Sequence, residues 1–269
     1  MLLALPFPAI DPVLVQIGPF AIRWYALAYI AGIVIGWRLM RRLVTLEPVA
    51  ATREQVDDFV TWAVLGVILG GRLGYVLFYQ TGHYLSAPWE ALYLWKGGMS
   101  FHGGAAGVIA AIILFCRRHG LSIRRFGDRI TAVVPLGLFF GRLANFINGE
   151  LWGRPADVPW AMVFPHAGPE PRHPSQLYQA AMEGLFLFIL VQVVIRVPAL
   201  RARPGFTAGT FLAGYGVARI IGEFFRQPDP QLGFLWAGAT MGQLLSIPMI
   251  LAGLLLMVLA RPTPERATA

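Results

Sequence analysis

Seven long apolar stretches, at about residues 20–44, 57–79, 100–116, 127–147, 177–197, 206–225 and 236–260, constrain this chain more than any other feature. Each comes near the ~20 residues that a helix needs to cross the hydrocarbon of a bilayer. Backbone polar groups have no water to bond there, so the helix is the form such a run takes. Composition agrees: 57% of the 269 residues are hydrophobic and 13% charged, against roughly 25% charged in soluble domains. The expectation is an all-α integral membrane protein of about seven transmembrane helices, with residues 1–269 forming one polytopic domain. No basic stretch followed by a small-residue cleavage site opens the chain, so its N-terminus is expected to be retained.

Charge sets the expected topology. The net charge of +8 comes from 21 arginines and Lys96 against 14 acids. In a soluble protein that excess would suggest nucleic acid. Here the arginines sit mainly between apolar stretches, so topology accounts for them and no nucleic-acid partner is expected. Arg38, Arg41, Arg42 and Arg53 follow the first stretch, and Arg117, Arg118, Arg124, Arg125 and Arg129 the third. Arg196, Arg201 and Arg203 follow the fifth, and Arg261 and Arg266 the seventh. By the positive-inside rule these connections are cytoplasmic, the N-terminus is outside and the C-terminus inside. Residues 148–176, punctuated by prolines from Pro155 to Pro174, then form a small outward-facing (periplasmic) head between helices 4 and 5.

Polar chemistry leaves the apolar background in two places. Residues 141–153 read G-R-L-A-N-F-I-N-G-E-L-W-G, and Arg142 and Asn145 share a helical face at a spacing of three. An ionisable group inside a bilayer marks a pathway, a binding site or a paired charge. The alternative is an arginine that reaches to the interface or pairs structurally. In the sixth stretch Tyr215, Arg219, Glu223 and Arg226 follow at four, four and three, again one face. Two arginines around one glutamate leave that face positive and able to receive an anion. The planar guanidinium fork suits phosphate, and the anion at that depth is a phospholipid head group. Glu183, inside the fifth stretch, needs a partner such as a membrane arginine.

Other residues carry two readings each. His102 lies within G-G-M-S-F-H-G-G, where glycines let the backbone bend and a ligand approach. It is a candidate base or hydrogen-bond donor, or else a satisfied structural histidine. Tyr25 suits an interfacial aromatic belt. Arg72 is a head-group anchor or part of a buried charge network. Gly66, Gly70 and Gly74 form a small-residue stripe for close helix packing, Ser175 is expected to N-cap the fifth helix, and Cys116 is structural. No metal-ligand spacing, nucleophile elbow or nucleotide loop is present in the sequence, so no metal or cofactor is expected. Any nucleophile would come from a substrate.

These residues resemble those of the bacterial prolipoprotein diacylglyceryl transferase family. The likeness runs through residues 10–25, G-G-R-L-G-Y-V-L-F-Y (70–79), the glycine-flanked histidine, the 141–153 segment, R-H-P-S-Q-L-Y (172–178) and R-x-x-x-E-x-x-R-Q-P-D (219–229). The resemblance implies that phosphatidylglycerol gives its diacylglyceryl group to the lipobox cysteine in the signal peptide of a preprolipoprotein. A thioether forms and glycerol phosphate leaves, as the first step of lipoprotein maturation in the bacterial cytoplasmic (inner) membrane. It carries catalytic roles onto His102, Arg142 and Arg219. Binding of the lipid head group falls to Tyr25, Arg142, Asn145, Glu150, Gly153, Glu223 and Arg226. Gln179 departs from the family pattern, standing where many members have an acid, and the head is compact. Thiol activation is implied for His102 or for Arg219. A lipid or small-anion transporter would also use intramembrane arginines, but it predicts inverted repeats and charges toward both faces, which this sequence lacks. A scaffold would need no concentrated arginine and asparagine set.

Overall fold

The structure, a computed structural model, describes residues 5–8, 10–228 and 233–262. Asp229 of the sixth-stretch motif and Arg266 lie outside the described residues. In chain order come β1 (Leu5–Pro6), a hairpin of β2 (Val13–Ile17) and β3 (Phe20–Arg23), α1 (Trp24–Leu43), α2 (Arg53–Phe78), the short α3 (Thr81–Ser86), α4 (Phe101–His119), α5 (Ile123–Thr131) and α6 (Val134–Ile147). Then follow β4 (Met162–Val163), paired with β1, α7 (Ser175–Gln179), a π-helical segment (Ala180–Phe186), α8 (Leu187–Arg196), α9 (Pro198–Arg201), α10 (Phe206–Glu223) and α11 (Met241–Leu259). Among the described residues, five helical stretches are long and apolar enough to cross a membrane: Arg53–Phe78, Phe101–His119, Ile123–Ile147, Ser175–Arg196 and Met241–Leu259. The first and sixth expected stretches are also helical, as α1 and α10.

Large apolar side chains such as Leu69, Leu73, Val193, Leu251 and Val258 are exposed along these helices. Uncovered apolar surface on that scale calls for lipid rather than water. The chain is a mostly helical, multi-pass membrane protein.

Two compact units are present, 41–127 and 1–40 with 128–269. In the first, α2 begins in a capping box: the Thr52 hydroxyl accepts from the Gln55 amide at 3.2 Å and Gln55 Oε1 accepts from the Thr52 amide at 2.9 Å. The expected stripe of Gly66, Gly70 and Gly74 packs on α4. A methyl at Gly66 would lie 2.7 Å from the Gly107 carbonyl oxygen, and one at Gly74 2.7 Å from Gly103 Cα. Gly103 of the histidine motif thus serves helix packing. Phe59, Phe115 and Phe126, with ring centroids 5.1–5.6 Å apart, fill the core beside the buried Cys116. Arg72 matches neither sequence reading. Its guanidinium donates to the carbonyls of Ala91 (2.7 Å), Gly97 (2.5 Å) and Glu90 (2.8 Å), folding the 88–98 segment around itself. On that segment, hydrogen bonds from His83 and Lys96, both at 3.1 Å, hold the Glu90 carboxyl below its ordinary range.

In the second unit the first helix starts at Trp24 rather than near 20, because residues 20–23 pair with 13–17 across a turn whose Gly18 has φ 57°. The fourth stretch breaks between α5 and α6. Pro135 offers no N–H, and the Leu136 amide bonds Val133 rather than Ala132. The orphaned Ala132 carbonyl instead accepts from Gln192 Nε2 at 2.6 Å. The last helix starts at Met241, not 236, because Thr240 and Gln243 form a second capping box. It packs on α10 where Gly209 faces Gly253.

Candidate functional site

Five charged side chains from α6, the π-helical segment, α10 and the turn that follows it form one continuous chain. Arg142 of α6 donates to Glu183 Oε2 from Nε (3.2 Å) and Nη2 (3.0 Å). On the other carboxylate oxygen, Arg219 Nη1 stands 3.6 Å away. Arg219 Nη2 lies 2.7 Å from Glu223 Oε1, and Arg226 Nη1 lies 3.2 Å from the same oxygen. Glu183 and Glu223 are buried at 0% and 1% exposure, so both carboxylates depend on these partners. Three guanidiniums on two carboxylates leave a net charge of +1. Arg219 Nη1 faces Glu183 Oε1 just beyond hydrogen-bonding distance, and both atoms are buried. Tyr215, one turn earlier on α10, lies within electrostatic range of Glu183, Arg219 and Arg142.

Local backbone geometry delivers Glu183 to its partners. It sits in the π-helical segment, where one extra residue per turn re-aims the side chains that follow. Gly184 lets that segment press on α6: a methyl there would lie 2.7 Å from Phe139 Cα. Glu223 is met from a fourth direction by the start of α11. Thr240 stands beside it, and a methyl at Gly242 would lie 2.9 Å from its carboxyl carbon. The positive end of a helix therefore faces this carboxylate.

The loop after α6 is stapled to the same elements. Asn145 Nδ2 donates to Glu150 Oε1 at 2.8 Å, and the Glu150 amide returns a bond to the Asn145 carbonyl at 3.0 Å. Tyr25 of α1 lies beside Asn145, and its ring stands 5.1 Å from that of Tyr29 at a tilt of 50°. Leu151 holds φ 57°, a strained conformation for a branched residue. Its carbonyl accepts from Ser175 Oγ at 2.9 Å, and the neighbouring Glu150 carbonyl accepts from Gln176 Nε2 at 2.6 Å. Ser175 therefore does not cap its helix as expected. Pro174 occupies the cap position, and the hydroxyl ties down the strained loop. Gly153 works through its backbone: its amide donates to the His173 carbonyl at 2.9 Å, and a methyl would lie 2.5 Å from that oxygen. Burial pushes the His173 imidazole below its ordinary pKa.

Of the residues expected from sequence, Arg142, Arg219, Glu223 and Arg226 meet in the charged chain, and Tyr25, Asn145 and Glu150 form a connected polar group. His102 belongs to the other unit, exposed on the first turn of α4 with its ring edge-on to Phe101 at 5.7 Å. Glu183 was legible as an acid in an apolar stretch but not as the centre of the site. Thr240 gave no sequence signal beyond its place before an apolar run. Among the described residues, no three His, Cys, Asp or Glu side chains gather as metal ligands.

Known proteins resemble this chain along nearly its whole length. The profile of the family described as prolipoprotein diacylglyceryl transferase matches residues 12–259. A protein of Gluconacetobacter diazotrophicus is 63% identical over 268 residues, covering 99% of this chain and 96% of its own. One of Rhodospirillum rubrum is 64% identical over 263 residues (97% and 96%), and one of Azospirillum brasilense 60% over 265 residues (98% and 99%). All three bear the name phosphatidylglycerol--prolipoprotein diacylglyceryl transferase.

Proposed function

The chain belongs to the prolipoprotein diacylglyceryl transferase family, and from that premise we propose that it transfers the diacylglyceryl group of phosphatidylglycerol to the lipobox cysteine of preprolipoproteins. The thiolate sulfur attacks the glyceryl carbon bonded to the phosphate oxygen. An S–C bond forms as the C–O bond breaks, and the electron pair leaves with glycerol phosphate. The reaction balances between the two substrates without a cofactor. Arg142 and Arg219 take up the charge that gathers on the leaving phosphate, as a preorganised cationic clamp. Glu183 and Glu223 hold the forks of those arginines in place, and Arg226 closes the far end. Tyr25, Asn145 and Glu150 bind and orient the lipid head group, while Gly153 acts through its backbone.

A free thiol ionises near pH 8.5, so the cysteine proton has to be drawn off at neutral pH. That role is assigned to His102 as base, with the positive field of Arg219 as the competing source of thiolate. The proposal extends to topology: α1 and α10 complete seven spans, the N-terminus and the 148–176 head lie on the outer face of the bacterial cytoplasmic membrane, and the C-terminus lies inside. Basic residues such as Arg117, Arg118, Arg201 and Arg203 at alternate connections support that orientation.

What carries the reading is the buried chain of three arginines and two glutamates that joins α6, the π-helical segment and the end of α10. Such an arrangement exceeds what anchoring annular lipid requires. The test is mass spectrometry of a cysteine lipobox peptide incubated with the purified protein and phosphatidylglycerol, beside a serine peptide. Addition of one diacylglyceryl unit to the cysteine peptide alone is expected. No addition by folded, lipid-binding protein would turn the reading toward lipid or anion transport.

A further inference from the structure

We propose that Arg154, outside every role assigned above, is the positioning residue for the Glu223–Arg226 end of the site; this rests on the transferase reading. A helix ends with carbonyls that have no partner within it, and α10 ends at Glu223. Its last carbonyl and two of those that follow converge on Arg154. Its Nη2 donates to the Glu223 carbonyl at 3.0 Å, its Nε to that of Arg226 at 3.0 Å, and its backbone amide to that of Phe225 at 2.9 Å. The adjoining Gly153 pairs with Arg226 as an isolated antiparallel bridge, and the Gln227 amide donates to the Trp152 carbonyl at 3.3 Å. The guanidinium also lies 5.1 Å from the centre of the Phe234 ring, a cation–π contact that fixes its plane.

The consequence is geometric. Arg154 fixes the backbone on both sides of the turn that carries Glu223 and Arg226, and Glu223 in turn holds Arg219 at 2.7 Å. A cation at a helix C-terminus also complements the helix dipole, so the residue combines charge with two side-chain hydrogen bonds. It touches neither carboxylate, and acts through the backbone that carries Glu223 and Arg226. Lysine can supply the charge and one hydrogen bond but not the fork. Methionine supplies neither.

The test compares the full-length protein with Arg154→Met and Arg154→Lys in detergent, reading peptide transfer against phosphatidylglycerol concentration and amide hydrogen exchange over residues 225–227. A displacement of ~1 Å in such a site can lower turnover about a hundredfold. Arg154→Met is expected to lose between about tenfold and a hundredfold in kcat with little change in KM, and to exchange faster at 225–227. Arg154→Lys should recover part of both. A loss that merely follows the folded fraction of each variant, or an unchanged kcat, would overturn the proposal. If the unaltered protein transfers nothing, the transferase reading fails by itself. The exchange comparison then decides: faster exchange in Arg154→Met sustains the positioning role, and unchanged exchange overturns it.

Discussion

Glu183→Gln is the substitution that tests the charged chain most directly. It keeps the shape and one acceptor oxygen while removing the negative charge between Arg142 and Arg219. At an effective dielectric near 20, unit charges 3.0 Å apart attract by about 5–6 kcal/mol, and the second contact at 3.6 Å adds about 4–5 kcal/mol. Desolvation of a fully buried carboxylate consumes much of that gain. Measured losses on removing one partner of a buried pair run at about 3–5 kcal/mol. Because glutamine still accepts one bond from Arg142, the lower end is expected, ~3 kcal/mol, or roughly a hundredfold in the unfolding equilibrium. The measurement is unfolding of both proteins by titration with SDS in mixed micelles, with peptide transfer on the folded fraction as a second readout. Turnover should fall with it, since Arg142 loses the group that fixes its fork. A double-mutant cycle with Arg142→Gln should show coupling of about 1–3 kcal/mol. Stability within ~0.5 kcal/mol of the parent and no coupling would refute the reasoning, and would mean that the pair is already open to water.

Three further outcomes are expected. Arg142→Lys should lose most turnover in the transfer assay, because a point charge cannot replace the fork that spans Glu183 and the phosphate; activity within a few-fold would remove the bidentate role. His102→Gln should slow transfer most at neutral pH and least at mildly alkaline pH, where the peptide thiol ionises unaided. A flat, near-normal profile would assign thiolate formation elsewhere. Gly107→Val places carbon 2.9 Å from Gly70 Cα and should destabilise the α2–α4 pair by about 1–3 kcal/mol, measured by the same SDS titration; no loss would show that these helices do not rely on close approach.

The helices could be read from the chain because hydropathy alone decides what a bilayer admits. Their interruptions were less legible. The break in the fourth stretch was not foreseen: Pro135 has no N–H to give, and the Ala132 carbonyl it leaves is taken by Gln192, 60 positions further along the chain. The β2–β3 hairpin hid in a stretch whose prolines and glycine argued only against helix. The site was legible in kind: arginines at helical spacing around a glutamate predicted one positive face, of which α10 carries Arg219 and Glu223 while Arg226 joins them from the turn beyond its end. The link from α10 to α6 was not, since it depends on a π-helical turn aiming Glu183 at Arg142, and no local pattern in A-A-M-E-G-L-F reports that. Arg72 shows the same limit from the other side. An arginine in an apolar helix suggested lipid or carboxylate, yet backbone carbonyls of residues 90–98 satisfy it.

Why the site keeps two glutamates among its three arginines follows from the charge balance of the proposed reaction. Phosphatidylglycerol enters as a phosphodiester with one negative charge and the cysteine attacks as a thiolate with another. The thioether is neutral, so both charges collect on glycerol phosphate, a monoester of about −1.5 to −2 at neutral pH. A chain carrying +1 matches the lipid before reaction and attracts the leaving group more strongly as its charge grows. That difference is what accelerates a chemical step, whereas equal stabilisation of both states does not. Three unpaired arginines would hold the ground-state lipid, and later the product, far more tightly. Pairing each carboxylate with two guanidiniums limits the charge of these five side chains to +1 while fixing every fork.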